Sequence, residues 1–257
     1  MSIPELVPLE FTVDEGFGHR ARIGLVVLES DQTLEAEARL INLPGVDFYH
    51  ARIANALEVN PATLTDMLQR LPDAAALLPG EFEFDAIGYG CTSASTIIGP
   101  NAVAEALAQA HPDVASTNPI SAAVEAFHAL DAKRIAIVTP YTADVTAPVA
   151  EHFVSNDLEV VALGSFLESS DLVVGRIAPE SIANGVRHVV SIGECDAVFV
   201  SCTSLRLLDQ AADLETEVGM PVVSSNMAML WQLLRLAGVT EQLPALGSIF
   251  TRPLNRE

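Results

Sequence analysis

Basic side chains are scarce in this chain, which has 13 lysines and arginines against 34 aspartates and glutamates among its 257 residues. The net charge of −21 repels the phosphates of nucleic acids and the headgroups of anionic membranes. We therefore expect neither a nucleic acid nor a membrane as a partner. Hydrophobic residues make up 50% of the chain, enough to bury one large core or two smaller ones.

Cysteine is also rare, and its pattern argues against a disulfide framework. Cys91, Cys195 and Cys202 are odd in number and lack paired spacing, which is typical of reduced thiols in a cytoplasm. The opening MSIPELVPLEFTVDEG lacks the basic, apolar and cleavage regions of a signal peptide. No apolar run reaches the length that spans a bilayer. We expect a soluble cytoplasmic protein.

Motifs for a cofactor or a metal are missing from the sequence as well. GYGCTS at 88–93 lacks the lysine of a nucleotide-binding loop and the third glycine of a dinucleotide fingerprint. The six histidines show no metal-ligand spacing, either alone or together with the cysteines. We expect no cofactor and no bound metal.

The chain does contain a pattern of strands and helices that occurs twice. Near-continuous apolar runs predict buried parallel strands, for example RIGLVVL at 22–28 and RIAIV at 134–138. Three landmarks recur at offsets of 112, 111 and 108 residues: Arg22 and Arg134, Cys91 and Cys202, Asn118 and Asn226. Because each pair occupies the same place in its half, the sequence predicts a duplicated β/α unit.

We expect an α/β fold of two Rossmann-like parallel-sheet halves, related by a pseudo-twofold axis, with the site in the cleft between them. The first α/β domain is expected over 19–118 plus 226–257, and the second over 119–225. Residues 1–18 are predicted to form an extended arm. Helices whose length bears on the site are predicted at 34–43, at 61–78 with a break at Pro72, and at 205–218.

Two Cys-Thr-Ser sequences follow corresponding strands. Cys91 comes after the strand predicted at 84–89, and Cys202 ends the strand within CDAVFVSC at 195–202. Hydroxyl residues after a strand are typical of helix caps, where free amides and the positive end of the helix dipole converge. Such a place can lower the pKa of a thiol and bind an anion. If the halves face each other, the two sulfur atoms lie on opposite sides of one bound molecule.

Two thiols around a small carboxylate can carry out either of two reactions. One thiolate can remove the proton next to the carboxylate while the other thiol returns a proton to the opposite face. Alternatively, a thiolate adds to an activated alkene, the bond rotates, and elimination gives the other geometric isomer. Amides and hydroxyls that we expect to bind the substrate oxygens belong to Thr92, Ser93, Thr203 and Ser204.

Each of these residues also has a purely structural explanation. A cysteine at a strand end is often a small core residue, which is our interpretation of Cys195. The Thr and Ser hydroxyls can serve only as helix caps, and Asn118 and Asn226 are expected to cap the helices after the fourth strands. Trp231 is expected to pack a helix, with a subunit contact as the alternative. We expect a homo-oligomer.

The paired Cys-Thr corners resemble the aspartate/glutamate racemase superfamily over 20–238. Within this superfamily, the chain is most similar to the maleate isomerase and arylmalonate decarboxylase branch, in the segments GYGCTSAS, VTPY and RIGLVVLESDQTLEAE. The resemblance implies that Cys91 is the nucleophile of an isomerase and that Cys202 is a proton donor. It also implies that Thr92, Ser93 and Tyr141 hold a carboxylate. The decarboxylases keep only the second cysteine, so the pair favours racemisation or isomerisation.

The chain departs from the maleate isomerases where they have two asparagines. Asp31 replaces the first, and Asp171 in SSDLVVGRI is the nearest match to the second. A carboxylate beside an anionic ligand lowers affinity unless the ligand carries a positive group or the acid is protonated. We therefore expect a substrate with an ammonium- or amidinium-like group, such as an amino-acid derivative. From the residues alone, Asp31 can instead cap the helix near Thr33, and Asp171 can be a solvated loop residue.

Two classes of function remain open at this stage. The first is a cofactor-independent racemase or cis–trans isomerase that acts on a small carboxylate through Cys91 and Cys202. The second is a binding protein that retained the cleft without turnover, such as a carboxylate sensor or an accessory component of a catabolic pathway. The Asp-x-Thr opening at Asp31 resembles the ectoine-utilisation proteins of this branch. A decarboxylase of the same branch is a further alternative.

Overall fold

The computed structural model of the protein describes residues 3–56 and 58–254. In these residues, eight strands form two four-stranded parallel sheets. The strands are β1 (Ala21–Leu28), β2 (Val46–Ile53), β3 (Ala86–Gly90), β4 (Ala115–Thr117), β5 (Arg134–Thr139), β6 (Glu159–Ser165), β7 (Ala197–Val200) and β8 (Val222–Ser224). The orders β2-β1-β3-β4 and β6-β5-β7-β8 are equivalent, which confirms the predicted α/β fold of two similar halves.

The helices cover the faces of both sheets. In chain order they are α1 (Leu34–Ala38), α2 (Pro61–Thr65), α3 (Leu71–Ala75), α4 (Thr92–Ile98), α5 (Pro100–Ala110), α6 (Pro119–Ala129), α7 (Ala143–Val154), α8 (Asp171–Val174), α9 (Pro179–Ile192), α10 (Ala211–Val218) and α11 (Ser225–Leu236). Short 3-10 helices occur at Asp66–Gln69, Pro244–Leu246 and Ser248–Thr251.

The central strands of both sheets are buried on both faces, as their unbroken apolar sequences predict. Helix α11 packs closely on β3 because Gly88 has no side chain. A Cβ at Gly88 would lie 2.9 Å from Leu233 Cδ1, closer than such atoms approach in proteins. The close packing brings the start of α11 next to the carboxyl end of β3.

Two helices cross between the halves. Helix α6 follows β4 of the first sheet, yet its Phe127 makes edge-to-face contacts with Phe153 and Phe199 of the second half. Helix α11 follows β8 of the second sheet but packs on β3 of the first. This exchange supports our proposed division into 19–118 plus 226–257 and 119–225, although residues 255–257 lie outside the described part of the chain.

Three predicted helices differ in length or start from those of the structure. The helix predicted at 34–43 ends at Ala38. The segment predicted at 61–78 is divided into α2, a 3-10 turn and α3, and Pro72 lies in the first turn of α3, where its missing N–H is tolerated. The helix predicted at 205–218 begins only at Ala211, because the residues after Cys202 form turns.

The structure corrects one prediction about a side chain, that for Asn226, and excludes the alternative given for Trp231, which packs its helix as predicted. Asn226 does not cap α11, because Ser224 accepts the Met227 N–H at 3.1 Å and performs that role. Trp231 cannot form a subunit contact, since it is 0% exposed and its Nε1 donates to the Arg252 carbonyl at 2.9 Å. Asn118, in contrast, caps α6 as predicted by accepting the Ser121 N–H.

The described part of the predicted arm, residues 3–18, has no regular helix or strand, in agreement with the prediction. Its first two residues lie outside the described range. Among the helices that the structure describes, none combines the length and apolarity required to cross a bilayer.

Candidate active site

A pocket lies where the carboxyl ends of β3 and β7 meet, in the cleft between the halves. Its cavity volume is about 20 Å³, so the pocket is nearly filled by its own side chains. Residues that line it come from both halves: Leu28, Asn55, Ala56, Glu58, Val59, Thr63, Leu64, Met67, Cys91, Thr92, Ser93, Tyr141, Asp171, Cys202 and Thr203. Both predicted thiols therefore contribute to one pocket, and each comes from a different sheet.

Cys91 ends the first half's central strand and begins a helix. It is the N-cap residue of α4, with extended backbone angles of φ −147° and ψ 112°. The first intrahelical hydrogen bond runs from Ser95 N to Cys91 O at 3.1 Å, so the earlier amides of this turn precede the helical ladder. The Cys91 sulfur lies 3.7 Å from Ser93 Oγ, and the residue is buried.

Cys202 occupies the equivalent place but has a different backbone. Its φ is +124°, a conformation that residues with a side chain rarely adopt. No helix follows before α10, so the prediction that this corner caps a helix is wrong. The Cys202 N–H donates to Ser225 Oγ at 2.9 Å, and the Ser204 N–H points at the Cys202 sulfur at 3.4 Å.

The thiol pKa values differ from the sequence-based expectation. Burial raises the pKa of Cys91 to about 11 and that of Cys202 to about 12. The negative charge of Asp171 raises both pKa values further. Hydrogen bonds from the Ala94 amide and the Ser93 hydroxyl lower the pKa of Cys91, but they do not outweigh burial. The prediction of a low-pKa thiol is therefore wrong, because burial dominates and both thiols are protonated at neutral pH.

Tyr141 lies in the same pocket and is 3% exposed. A hydrogen bond from its hydroxyl lowers the pKa of Cys202. Burial, followed by the charges of Cys202 and Cys91, raises the pKa of Tyr141 well above its ordinary value. Tyr141 is thus a neutral hydrogen-bond donor beside the second thiol.

Most of the predicted substrate-binding hydroxyls are already paired with protein atoms. Thr92 Oγ1 donates to Ser225 Oγ at 2.7 Å, and Thr203 Oγ1 donates to the Gly90 carbonyl at 3.3 Å. Thr92, Ser93 and Thr203 line the pocket, whereas Ser204 is not among the described residues that do. The backbone amides of these corners are consequently better candidates for binding a carboxylate than the hydroxyls.

Asp171 is buried at the wall of the pocket, so the alternative of a solvated loop residue is wrong. One of its oxygens accepts from Ser30 Oγ and the other from Ser204 Oγ at 3.1 Å. These two hydroxyls come from different halves. Asp171 therefore joins the halves next to the thiols while keeping its carboxylate in the pocket.

Asp31 lies behind the pocket wall and is 5% exposed. Its Oδ1 accepts the amides of Thr33 and Leu34, both at 2.8 Å, as the helix-capping alternative predicts. Its Oδ2 is buried and has no hydrogen-bond partner among the described residues. Burial raises the pKa of Asp31 to about 6, and the charge of Asp171 adds to this effect.

The fixed charge of the pocket is negative. Glu58 and Asp171 line it, and none of the described residues at its wall is a lysine or an arginine. Arg52 approaches from behind, but its guanidinium donates to the carbonyls of Leu28 and Asp31, at 2.9 and 3.2 Å, and to Glu35. The described residues of the site therefore offer no cationic side chain to a bound carboxylate.

Sequence reasoning missed the segment after β2 that closes one side of the pocket. Val59 donates its N–H to the Ser169 carbonyl at 3.1 Å, and Glu58 forms an antiparallel bridge with Ser170. Both contacts cross from the first half to the second. In the sequence, only the helix start at Pro61 is predicted here, and it carries no sign of a contact with the other half.

Within residues 3–56 and 58–254, no group of three or more His, Cys, Asp or Glu side chains is placed to hold a metal ion.

Two equivalent parallel-sheet halves with one cysteine from each at a shared pocket define a class, the enzymes with the aspartate/glutamate racemase fold. The family model of arylmalonate decarboxylase matches residues 23–250, and the chain belongs to this family. This result confirms the resemblance seen in the sequence.

Maleate isomerases are among the chain's relatives. The maleate isomerase of Nocardia farcinica is 30% identical over 89% of this chain and 94% of its own length. A structure of the Nocardia farcinica maleate cis-trans isomerase bound to TRIS has a TM-score of 0.81 at 28% identity, over 90% of this chain and 98% of that one. A mutant of that isomerase with a covalently bound succinylcysteine intermediate has a TM-score of 0.81 at 27% identity, with the same coverage.

Proposed function

We propose that the protein is a cofactor-independent racemase or cis–trans isomerase that acts on a small carboxylate through Cys91 and Cys202. The observation that carries this proposal is the shared pocket, to which each half contributes one thiol at the end of a central strand. The succinylcysteine intermediate of the Nocardia farcinica relative supports a covalent role for a cysteine in this fold.

Either reaction requires one thiolate and one thiol. In isomerisation, the Cys91 sulfur forms a bond to one alkene carbon and Cys202 gives its proton to the other; after rotation, the proton returns and the C–S bond breaks. In racemisation, one thiolate takes the α-proton and the opposite thiol supplies another. Cys91 is the better thiolate because its raised pKa, about 11, lies below that of Cys202, about 12, and because it lies at the start of helix α4 whereas a turn follows Cys202.

The charge of the pocket points to a substrate that also carries a cation. Asp171 and Glu58 line the pocket, Asp31 lies behind its wall, and none of the described wall residues is a lysine or an arginine. A bound ammonium or amidinium group would neutralise this charge and lower the pKa of the thiols, since an opposite charge favours the ionised form. We therefore propose an amino-acid derivative as substrate, with its carboxylate held by the amides that follow Cys91 and Cys202.

A second function has one specific observation in its favour. Because burial raises the pKa of both thiols, a carboxylate-binding protein without turnover also fits the site. Iodoacetamide labelling separates the two functions. An enzyme should show ligand-dependent acceleration of labelling at Cys91 against a constant rate at Cys195, whereas a binding protein should show protection of Cys91 and Cys202 alone.

Proton exchange with solvent tests the proposal directly. The purified protein would be incubated in deuterium oxide with maleate and with N-acylated and free amino acids, and the products followed by nuclear magnetic resonance. Racemisation places deuterium on the α-carbon, and addition–elimination changes the alkene geometry. Efficient turnover of maleate with none of the amino-acid derivatives would contradict the proposed cation, while turnover by Cys91→Ser at the native rate would contradict the mechanism.

The homo-oligomer stays a prediction. Sedimentation velocity of the purified chain measures it, and a monomer at micromolar concentration would contradict it.

A further inference from the structure

The turn after Cys202 lacks the helix that supports Cys91. Cys202 has a φ of +124°, and a residue with a Cβ persists in such a conformation only when its surroundings hold it there. The next regular element, α10, begins nine residues later at Ala211. The support for this corner must therefore come from another part of the molecule.

Glu37 of α1, in the first half, reaches into this turn. Its side chain is buried, and Oε1 accepts the amides of Leu207 and Leu208 at 2.8 and 2.9 Å. Its other oxygen, Oε2, accepts from Asn226 Nδ2 at 2.7 Å. The same Nδ2 donates to the Thr203 carbonyl at 2.9 Å. One carboxylate thus binds the far end of the turn directly and the near end through Asn226.

Two further contacts fix the turn to the first half. Thr33 Oγ1 donates to the Ser204 carbonyl at 2.9 Å, and Thr203 Oγ1 donates to the Gly90 carbonyl at 3.3 Å. These are single bonds from neutral hydroxyls. Glu37 accepts three hydrogen bonds, two from backbone amides of the turn and one from the Asn226 side chain. It is therefore the strongest of these supports.

We propose that Glu37 is a positioning residue for Cys202: it holds turn 203–208 across the interface between the halves and so keeps the second thiol directed into the pocket. The inference relies on the proposed function only for the chemical role of Cys202. Its contacts with the turn exist whatever the reaction is. Glu37 is not among the described residues that line the pocket, and it bonds to the turn rather than to either thiol. We therefore expect Glu37 to affect turnover only by holding the turn in place.

Glu37→Gln tests the proposal, with Glu35→Gln as the matched control. Glu35 lies on the same helix, but it faces Arg39 and Arg52 at the surface. Hydrogen exchange and iodoacetamide labelling, each followed by mass spectrometry, need no turnover. In Glu37→Gln we expect loss of amide protection in 203–208 and labelling of Cys202 that is faster relative to Cys91 by roughly fivefold or more, because the turn opens. Glu35→Gln should match the native protein.

Kinetics supply the second readout. With any substrate that is turned over, Glu37→Gln should lower kcat by roughly tenfold or more while KM changes little, since a displaced catalytic group affects the chemical step. Asn226→Ala keeps Glu37 and releases Thr203; it tests the same turn if Glu37→Gln does not fold. Unchanged exchange in 203–208, or equal acceleration of labelling at Cys91 and Cys202, would overturn the proposal. If the turn responds but no substrate is turned over, the positioning stands and the proposed function fails.

Discussion

The two cysteine corners have the same strand order behind them but different supports. Cys91 caps α4, so its position is fixed by the helix that follows it. Cys202 has an unusual φ and a turn that Glu37 of the other half holds. The duplicated fold has therefore kept the places of the two thiols and changed the local structure that holds them.

The two corners are also linked to each other. Ser225 Oγ accepts the Thr92 hydroxyl at 2.7 Å and the Cys202 N–H at 2.9 Å. It lies at the start of α11, the helix that crosses from the second sheet to the first. The sequence places Ser225 next to Asn226 after the last predicted strand, but it does not show that Ser225 links the two corners.

The largest expected effect separates the roles of the two thiols. Cys91→Ser and Cys202→Ser should each lower kcat/KM by at least about 10³-fold, because each removes a group that takes part in the chemical step. With an unsaturated carboxylate, intact-mass measurement of Cys202→Ser should detect an adduct on Cys91. Cys195→Ser serves as the control and should retain native activity. An adduct on Cys202 in Cys91→Ser would reverse the assignment.

Asp171→Asn tests the charge that both corners share. Removing the carboxylate should lower the pKa of Cys202 and of Cys91, since Asp171 raises both. For a substrate with an ammonium group, KM should rise roughly 10- to 100-fold, the range for loss of a charge-assisted hydrogen bond. The pH dependence of site-resolved labelling measures the first effect and initial rates measure the second.

Asp144→Asn is the matched control for Asp171→Asn, because Asp144 is exposed at the start of α7. It should change neither the labelling profile nor KM. A labelling profile of Asp171→Asn that coincides with the native one would show that the carboxylate does not act on the thiols.

Ser225→Ala should loosen both corners together. It leaves the Cys202 N–H and the Thr92 hydroxyl buried without an acceptor, which costs about 1–3 kcal/mol of unfolding free energy. Chemical denaturation measures the loss, and labelling should accelerate at both Cys91 and Cys202. Ser155→Ala, at an exposed helix end, should leave the free energy of unfolding and the labelling rates unchanged. Acceleration at Cys202 alone would mean that Ser225 supports only one corner.

The smallest expected effect is a pH dependence of the free energy of unfolding that arises from Glu37, which supports the Cys202 corner. Burial raises the pKa of Glu37 to about 7 from 4.5, and Asp209 adds to the shift. The folded state then binds a proton that the unfolded state releases, so the stabilisation present below pH 4.5 is lost as the pH rises through 7. Its slope is at most about 1.4 kcal/mol per pH unit.

Denaturation between pH 4.5 and 8 measures this slope. Glu37→Gln should make the slope shallower by removing the Glu37 contribution, whereas Glu35→Gln should keep the native slope. Equal slopes in the native protein and Glu37→Gln would show that Glu37 does not titrate in this range. Asp31, with a pKa raised to about 6, contributes a slope of the same sign in all three proteins.

The fold was predictable from local sequence patterns. Buried parallel strands require continuous apolar residues, and the repeat offsets of Cys91 and Cys202 showed that the pattern occurs twice. Pairing of each strand with its neighbours then follows from the crossover rules for parallel sheets. The sequence also showed that a thiol follows the central strand of each half.

The supports of the second corner could not be predicted, because they depend on contacts between residues far apart in the chain. Glu37 and Leu207 are separated by 170 positions, and neither belongs to a motif. The pKa of each thiol was mispredicted for a related reason. A sequence shows the hydroxyls next to Cys91 but not the depth of burial, which here outweighs their hydrogen bonds.

The central claim is that the two thiols face one pocket from opposite halves. Treatment with a short bifunctional thiol reagent, followed by peptide mass spectrometry, measures this directly. We predict a single intramolecular cross-link between the peptides that contain Cys91 and Cys202, which a bound ligand prevents. Cross-links that involve Cys195, or separate single additions at Cys91 and Cys202 without a bridge, would contradict the claim.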